Sequence, residues 1–241
     1  MTPCPAIIVI SIIYIVKKCR VLLTFAQSID GNIAARNGES RYISESGSLS
    51  LAQDLRRSHD AILVGIGTVL KDNPLLTCRS HPEETPLRII LDSGLRLPED
   101  SRIAATAPAV PTMLFTCGEN LDSDRAARLR ATGVEITAVP RRESGLDLGE
   151  ILSRIGELGL ESLMVEGGSG VLSAFVTQQL WDRMLVVTSP IILGPGIGPF
   201  DGAGILSLNQ AHKPRVNEIR IIDNEVVWDL SPAGKSGESA S

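Results

Sequence analysis

Leu163-Met164-Val165 runs into Glu166, then into Gly167-Gly168-Ser169-Gly170, and Val171-Leu172 opens a helical pattern. Three apolar residues without polar alternation describe a strand buried on both faces, the habit of parallel sheets. A strand that ends in a glycine turn and feeds a helix is half of a parallel α/β unit. The glycines allow a sharp turn and a close backbone approach to a ligand. The helix N-terminus beyond them offers unpaired N–H groups to an anion. Alone, this is an ordinary βα connection. Its meaning depends on what stands at the other strand ends.

Several further segments carry the same signature. Arg20–Ala26, Ala61–Gly65, Leu87–Leu91, Thr112–Thr116, Val134–Val139 and Met184–Val187 read as strands. Helices are expected from Ser46 or Ser48, each a candidate N-cap, through Leu51, Leu55 and Arg56, and over Asp122–Ala131. Asp147 caps another, whose Ile151, Leu152, Ile155 and Leu158 share a face. A fourth covers about Ser169–Gln179, and the 190–200 segment reads as a glycine-rich loop. Glu218–Ile222 and Glu225–Trp228 form a closing hairpin over Asp223-Asn224. The expected architecture is a single α/β domain with a mostly parallel central sheet, a C-terminal antiparallel hairpin and helices on both faces. Ligands of such sheets bind beyond the carboxyl ends of the strands. Polar clusters fall at four of those ends: Ser28–Asp30, Gly65–Asp72, Asp92-Ser93 and Glu166–Gly170.

Composition narrows the ligand. With 241 residues, 43% hydrophobic and 21% charged, the chain can bury a sizeable core. A formal charge of −5 and 3% aromatic residues argue against nucleic acid as a partner. An anionic ligand therefore needs local arginines, and Arg56 and Arg79 are the candidates. Arg56 abuts Arg57 on its helix, so at most one of the two faces inward. Cys4, Cys19, Cys78 and Cys117 form no CxxC pair, and with three histidines no metal site is expected. His59, His81 and His212 receive no catalytic role. The apolar run Ala6–Val16 is too short to span a bilayer, which takes ~20 residues. The reading is a cytoplasmic chain without a membrane partner. Its residues 1–19 form an atypical apolar extension, 20–230 the working domain and 231–241 a disordered tail.

Two familiar motifs come close and fail. Gly65-Ile66-Gly67-Thr68-Val69-Leu70 has leucine where a dinucleotide fingerprint needs Gly or Ala, and Asn73-Pro74 stops the helix early. Gly167-Gly168-Ser169-Gly170-Val171 lacks the last glycine of a hydrolase elbow, although Asp201 and His212 follow in hydrolase order.

The run Phe25–Ala34, with Ser28-Ile29-Asp30-Gly31 at its centre, is followed by Gly38-Glu39-Ser40-Arg41-Tyr42-Ile43. Leu55-Arg56, Asp60–Gly65 and Thr68–Thr77 come next, then Arg79, Leu87–Ser93, Val165–Gly168 and Pro190–Gly194. In that order, over about Arg20–Leu230, the chain resembles the pyrimidine reductases of riboflavin biosynthesis, the family of the RibD C-terminal reductase domain, which has a dihydrofolate-reductase-like fold. The resemblance implies NADPH as cofactor and a phosphorylated pyrimidine as substrate. The implied reaction reduces the ribosylamino group of 2,5-diamino-6-ribosylamino-4(3H)-pyrimidinone 5′-phosphate to the ribitylamino form. It implies cofactor contacts from Ala26, Tyr42, Thr68, Asp72, Ser93 and the run Gly167, Gly168, Ser169, Gly170, Val171, Leu172, Ser173 and Ala174. Substrate contacts would come from Ser40, Arg56, Leu76, Arg79 and Glu166. Asp30 and Glu166 are the candidate catalytic residues, Asp30 lining the site near the nicotinamide. Relatives are commonly homodimers, and a homodimer is expected.

The deaminase signature H-x-E…P-C-x-x-C is absent from this sequence. Thr24 stands where many bifunctional reductases carry lysine, which bears on the choice between the diaminopyrimidinone and the alternative 5-amino-6-(5-phosphoribosylamino)uracil. The rival readings are a paralogue that reduces a pterin such as dihydrofolate and a non-catalytic nucleotide-binding module.

Overall fold

The computed structural model describes residues 19–40, 43, 45–79, 81–143 and 145–234. The chain begins with β1 (Arg20–Ser28), the two-residue β2 (Ala34–Ala35), α1 (Ser46–Arg57), β3 (Ala61–Gly65) and α2 (Ile66–Asp72). Next come β4 (Leu87–Leu91), α3 (Arg102–Ala105), β5 (Thr112–Thr116), α4 (Asp124–Ala131) and β6 (Glu135–Ala138). A small hairpin, β7 (Arg141–Arg142) and β8 (Gly145–Leu146), leads to α5 (Leu148–Glu157), β9 (Ser162–Gly167) and α6 (Ser169–Thr177). The chain closes with β10 (Arg183–Ser189), β11 (Gly196–Ile197), β12 (Arg215–Ile222) and β13 (Glu225–Ser231).

Nine strands form one sheet in the order β12-β13-β10-β1-β9-β3-β4-β5-β6. Every pairing from β10 to β6 is parallel, and the two pairings of the terminal hairpin are antiparallel. Alternation along the strands sends successive side chains to opposite faces. Ala61 and Leu63 of β3 join Leu163 and Val165 of β9 under Ile151, Ile155, Leu172 and Phe175 of α5 and α6. Ile62 and Val64 pack on the other face with Val69 of α2, Ile103 of α3 and Leu129 of α4. Beside them Leu22, Met164, Leu185 and Val227 meet Leu51 and Leu55 of α1. Both faces are thus covered by helices, as the uninterrupted apolar strands require.

The second face also contains a fully buried arginine. Arg88 donates to the Thr112 and Thr106 hydroxyls and to the carbonyls of Leu75, Ile103 and Val110. Burial pushes its pKa down to about 10. Its bonds fasten the start of β4 to the loop before Leu76 and to the end of α3.

Several local expectations change. Ser46 is the first residue of α1 rather than its cap, because the carboxylate of Asp223 takes the Gly47 amide at 2.9 Å. Ser48 is buried and donates to Glu225 instead. Leu158 lies beyond the end of α5 and is 52% exposed, while Leu148 takes the buried position at the other end of that helix. The 190–200 segment is not all loop, since β11 pairs with β2. Ser231 belongs to β13 rather than to a tail. Residues 1–18 and 235–241, which hold nearly all of the expected extension and most of the expected tail, lie outside the described residues.

Candidate functional site

The carboxyl ends of β1, β9, β3 and β4 lie along one edge of the sheet because the four strands are parallel neighbours. A cleft of about 620 Å³ opens there. Ile66, Thr68, Lys71 and Asp72 of α2 form one wall and Gly168 to Leu172 another. Phe25, Ile33, Ala34, Ile43 and Ile197 close it on the apolar side. Its volume lies within the range of small-ligand and cofactor sites.

The glycine turn shapes the middle of the cleft. Gly167 has φ +108°, a conformation that side chains rarely adopt, and a Cβ on Gly168 would stand 3.3 Å from the Thr68 hydroxyl oxygen. Gly168 is the N-cap of α6 and gives the helix no side-chain cap. The Ser169 and Gly170 N–H groups and the positive end of the helix dipole are therefore open to an anionic ligand, while the Val171 amide donates to the Gly168 carbonyl at 3.0 Å. Ser169 lines the same cleft, and its hydroxyl is buried with no hydrogen-bond partner among the described residues. A buried hydroxyl without a partner is costly unless a ligand supplies one. These features fit the diphosphate of a nicotinamide dinucleotide.

Glu166 sits one residue before that turn, at an irregularity in the β3–β9 ladder. Leu63 pairs with Val165 and Val64 with Gly167, so Glu166 has no partner on β3. Such a bulge re-aims the side chain it releases. The freed carboxylate meets Arg56 at the end of α1 in a bidentate pair, Nε to Oε1 at 2.6 Å and Nη2 to Oε2 at 2.7 Å. Arg56 Nη1 also donates to the Thr77 carbonyl at 3.2 Å. Burial works against the Arg56 cation, but the carboxylate beside it outweighs burial and holds the guanidinium above its ordinary pKa. Arg57 points away and pairs with Glu84 at the surface. A second, smaller pocket of about 190 Å³ adjoins the pair, between α1 and Thr24, Ala26, Met164 and Val187. The site thus has a cleft for a long anionic ligand and a side pocket walled by a guanidinium–carboxylate pair.

Comparison with known proteins identifies the architecture. The profile of the RibD C-terminal domain matches residues 20–228. The chain belongs to that family. It is 37% identical over 219 residues to the 2,5-diamino-6-ribosylamino-4(3H)-pyrimidinone 5′-phosphate reductase of Methanothermobacter thermautotrophicus, covering 89% of this chain and 98% of that one. It is 36% identical to the riboflavin biosynthesis protein RibD of Aquifex aeolicus over 86% of this chain. It spans only 56% of that protein's length. Among solved structures, the Thermotoga maritima diaminohydroxyphosphoribosylaminopyrimidine deaminase/5-amino-6-(5-phosphoribosylamino)uracil reductase superposes with a TM-score of 0.75 at 30% identity. The match covers 89% of this chain and 57% of that one. Enterococcus faecalis dihydrofolate reductase superposes with a TM-score of 0.52 at 12% identity over 90% of this chain. The RibD C-terminal domain therefore has a dihydrofolate-reductase-like fold here.

Most residues that the sequence proposed for this RibD domain's site meet at the cleft. Ala26, Ser40, Thr68, Asp72, Ser93, Glu166, Gly168, Ser169, Gly170, Val171, Leu172 and Ala174 all line it. Tyr42 lies outside the described residues. Gly167 shapes the turn without lining the cleft. Ser173 is buried and accepts from the Gly202 amide, which fastens α6 to the 200–203 turn. Leu76 is buried in the core on the α2 face. Arg79 is exposed away from the cleft, and its amide donates to the Gln53 side chain. Arg56 faces the smaller pocket, with its fork engaged by Glu166.

Asp30 is the clearest correction. Its carboxylate is exposed and accepts from the amides of Leu193 and Gly194 at 3.2 and 2.8 Å, so it anchors the loop before β11 and does not line the cleft. The Ser28 hydroxyl, with those amides, lowers its pKa to about 2. The hydrolase alternative is also excluded by position, since His212 lines a separate apolar pocket and Asp201 accepts from the Gly198 amide. Sequence reasoning missed the cleft's apolar wall and the two cations among its described lining residues, Lys71 and Arg96. Both cations sit within the stretches that carried the resemblance or just beyond them, but their residue type alone does not separate them from surface charges.

Proposed function

We propose that this chain reduces the ribosylamino group of 2,5-diamino-6-ribosylamino-4(3H)-pyrimidinone 5′-phosphate to the ribitylamino form, with NADPH, in riboflavin biosynthesis. The observation that carries this reading is the match over 98% of the archaeal reductase that bears that name, and a cleft lined by the start of α6 and the unpartnered Ser169 hydroxyl supports it. The first turn of α6 and the Ser169 hydroxyl hold the cofactor diphosphate, with Thr68 across the turn. When bound, the nicotinamide supplies the hydride. Glu166 accepts hydrogen bonds from amine or hydroxyl groups of the pyrimidine, and Arg56 holds that carboxylate in its orientation. Asp30 is ionised well below neutral pH and holds the 193–194 loop, so it positions the loop and is not the proton donor.

The aminouracil is the second reading, favoured by the name of the Thermotoga relative. The two substrates differ at ring position 2, an amine in one and a carbonyl in the other. The small pocket offers the Glu166 carboxylate and the Thr24 hydroxyl, and Arg56, the one cation among its described lining residues, is already paired. Acceptors suit the amine, so the diaminopyrimidinone is preferred.

The same reading makes the protein a cytoplasmic homodimer. No helix among the described residues is long and apolar enough to cross a membrane. The edge strand β12 exposes Val216, Ile219 and Ile221, which pair in register with Leu230, Trp228 and Val226 to form one apolar stripe. An exposed apolar edge of this kind calls for a partner surface.

The deciding assay follows NADPH oxidation with each pyrimidine and with dihydrofolate, identifying products by mass. Turnover of the diaminopyrimidinone with a two-hydrogen gain supports the proposal. Turnover of dihydrofolate alone points to a pterin reductase, and tight NADPH binding without turnover of any substrate points to a binding module.

A further inference from the structure

Arg88 stands in β4 between Ile62 of β3 and Thr112 of β5, and it is fully buried with no carboxylate among its described partners. Hydrogen bonds alone offset the cost of taking this cation out of water. The planar fork of donors fixes the position of every acceptor it reaches. Most of those acceptors belong to the shell around β4: the Thr106 and Thr112 hydroxyls and the Ile103 and Val110 carbonyls. One does not. Nη1 also donates at 3.0 Å to the carbonyl of Leu75, on the strap of residues 73–78 that follows α2.

That strap is strained. Asn73 ends α2 at φ +41°, and Leu76 is buried at φ +53°. Left-handed backbone at two non-glycine residues persists only where the surroundings impose it. Arg88 imposes it from within the core, and α3 does so from the side, where the Arg102 amide donates to the Asn73 side chain at 2.8 Å. Two residues beyond Leu75, the Thr77 carbonyl accepts from Arg56 Nη1 at 3.2 Å. The Nε and Nη2 groups of Arg56 are taken by Glu166. The Arg56 guanidinium is therefore held at all three nitrogens between two supports, the bulge of β9 and the strap. Arg88 touches neither Arg56 nor Glu166 and is not among the residues lining either pocket, so any effect on the pair travels through the strap.

We infer that Arg88 is a positioning residue: through the Leu75 carbonyl it sets the strap, and through the Thr77 carbonyl the strap sets the plane in which Arg56 presents Glu166. Its part in turnover rests on the proposal that the Glu166 pocket binds the pyrimidine, whereas its hold on Arg56 does not.

Arg88→Met and Arg88→Lys test it on the full chain, with Ile103→Ala as a control that opens the same core layer and leaves the strap's bonds in place. Melting temperatures rank the three variants by stability. Hydrogen exchange of the Arg56 Nε–H, followed by NMR, reads the pair without any ligand. Exchange should quicken about tenfold in Arg88→Met and less in Arg88→Lys, which keeps the charge and one donor group, and stay within about twofold of wild type in Ile103→Ala. The KM for the pyrimidine should rise about tenfold in Arg88→Met, while the Kd for NADPH stays within about twofold. If Arg88→Met does not fold, Arg88→Lys carries the test with the same direction of change. Unchanged exchange at Arg56 in the Arg88 variants overturns the assignment. An equal effect in Ile103→Ala overturns it too, because the change then follows lost stability. Faster exchange in a protein whose wild type turns over no pyrimidine keeps Arg88 as the support of Arg56 and removes the reductase reading instead.

Discussion

The Arg56–Glu166 pair can be separated into what it does for the fold and what it does for the ligand. Its side chains are 15% and 17% exposed, and two charge-assisted bonds join them at 2.6 and 2.7 Å. A fully exposed pair contributes at most about 1 kcal/mol, whereas removing one partner of a fully buried pair costs about 3–5 kcal/mol. This pair lies nearer the buried limit. Glu166→Leu removes the carboxylate and leaves the largely buried guanidinium without its partner, so a loss of about 2–3 kcal/mol is expected. Arg56→Met should cost a similar amount, because the carboxylate then stays in the pocket without its cation. At this chain length that corresponds to a fall in Tm of roughly 4–10 °C.

The double variant Arg56→Met/Glu166→Leu buries no charge and should return to within about 1 kcal/mol of the wild-type protein. Urea denaturation of the four proteins, read as midpoints at constant m, gives the coupling directly. Reductase turnover, measured on the same samples, should be lost in both single variants and in the double variant, because the apolar pair restores packing but presents no carboxylate to the pyrimidine. Single-variant effects that add within about 0.5 kcal/mol would refute the coupling. Turnover recovered by the double variant would remove Glu166 from the substrate site.

Gly168→Val places methyl groups into the turn where even a Cβ would stand 3.3 Å from the Thr68 oxygen, and dinucleotide binding by calorimetry should fall at least tenfold; normal affinity would move the cofactor off the α6 turn. Asp30 has a folded pKa of about 2 against an ordinary 3.8, so its anchor on Leu193 and Gly194 is complete above about pH 4 and is lost as the pH falls through 2. The amide resonances of Leu193 and Gly194 should titrate with a midpoint of about 2 and cease to do so in Asp30→Asn; a midpoint near 4 would show that the carboxylate is not engaged. Asp223→Ala removes the acceptor for the Gly47 amide and should lower stability by about 0.5–2 kcal/mol, with α1 fraying first in hydrogen exchange; full protection of α1 would mean that its N-terminus is held by packing alone.

The interior of this fold is legible residue by residue. Ala61–Gly65, Leu87–Leu91 and Thr112–Thr116 are strands over the bounds that their apolar runs suggest, because a parallel strand buried on both faces admits no polar interruption. The periphery is less so. β2 and β11 have two residues each, too few for any periodicity, yet Ala34 and Ile197 supply part of the cleft's apolar wall. Asp30 stands in the motif that carries the family resemblance, and sequence places it beside the reaction. Only the fold reveals that two amides at 193 and 194 take up its carboxylate. Arg56 is a candidate from the resemblance, and its neighbour Arg57 says only that at most one of the two faces inward; its partner Glu166 is 110 residues away and no local pattern joins them. Leu158 continues the apolar period of α5 past the point where the helix ends, so periodicity overruns the structure there.

The C-terminal hairpin is part of the same site, although none of its residues lines the cleft. α1 has no side-chain cap of its own, and Asp223, in the turn between β12 and β13, provides one from 176 residues away. Two residues on, fully buried Glu225 accepts from Ser48 of α1 and from Ser189 at the end of β10. The hairpin thus grips the start of α1 at two adjacent residues of its first turn, and the other end of that helix carries Arg56 to Glu166. An α-helix transmits a displacement at one end to the other because its hydrogen-bonded backbone stretches little. A loss of the hairpin grip should therefore appear as a loss of register between Arg56 and Glu166 before it appears as unfolding. The pairing of Arg56 with Glu166 is set jointly by a bulge in the central strand and by the last strand pair of the chain.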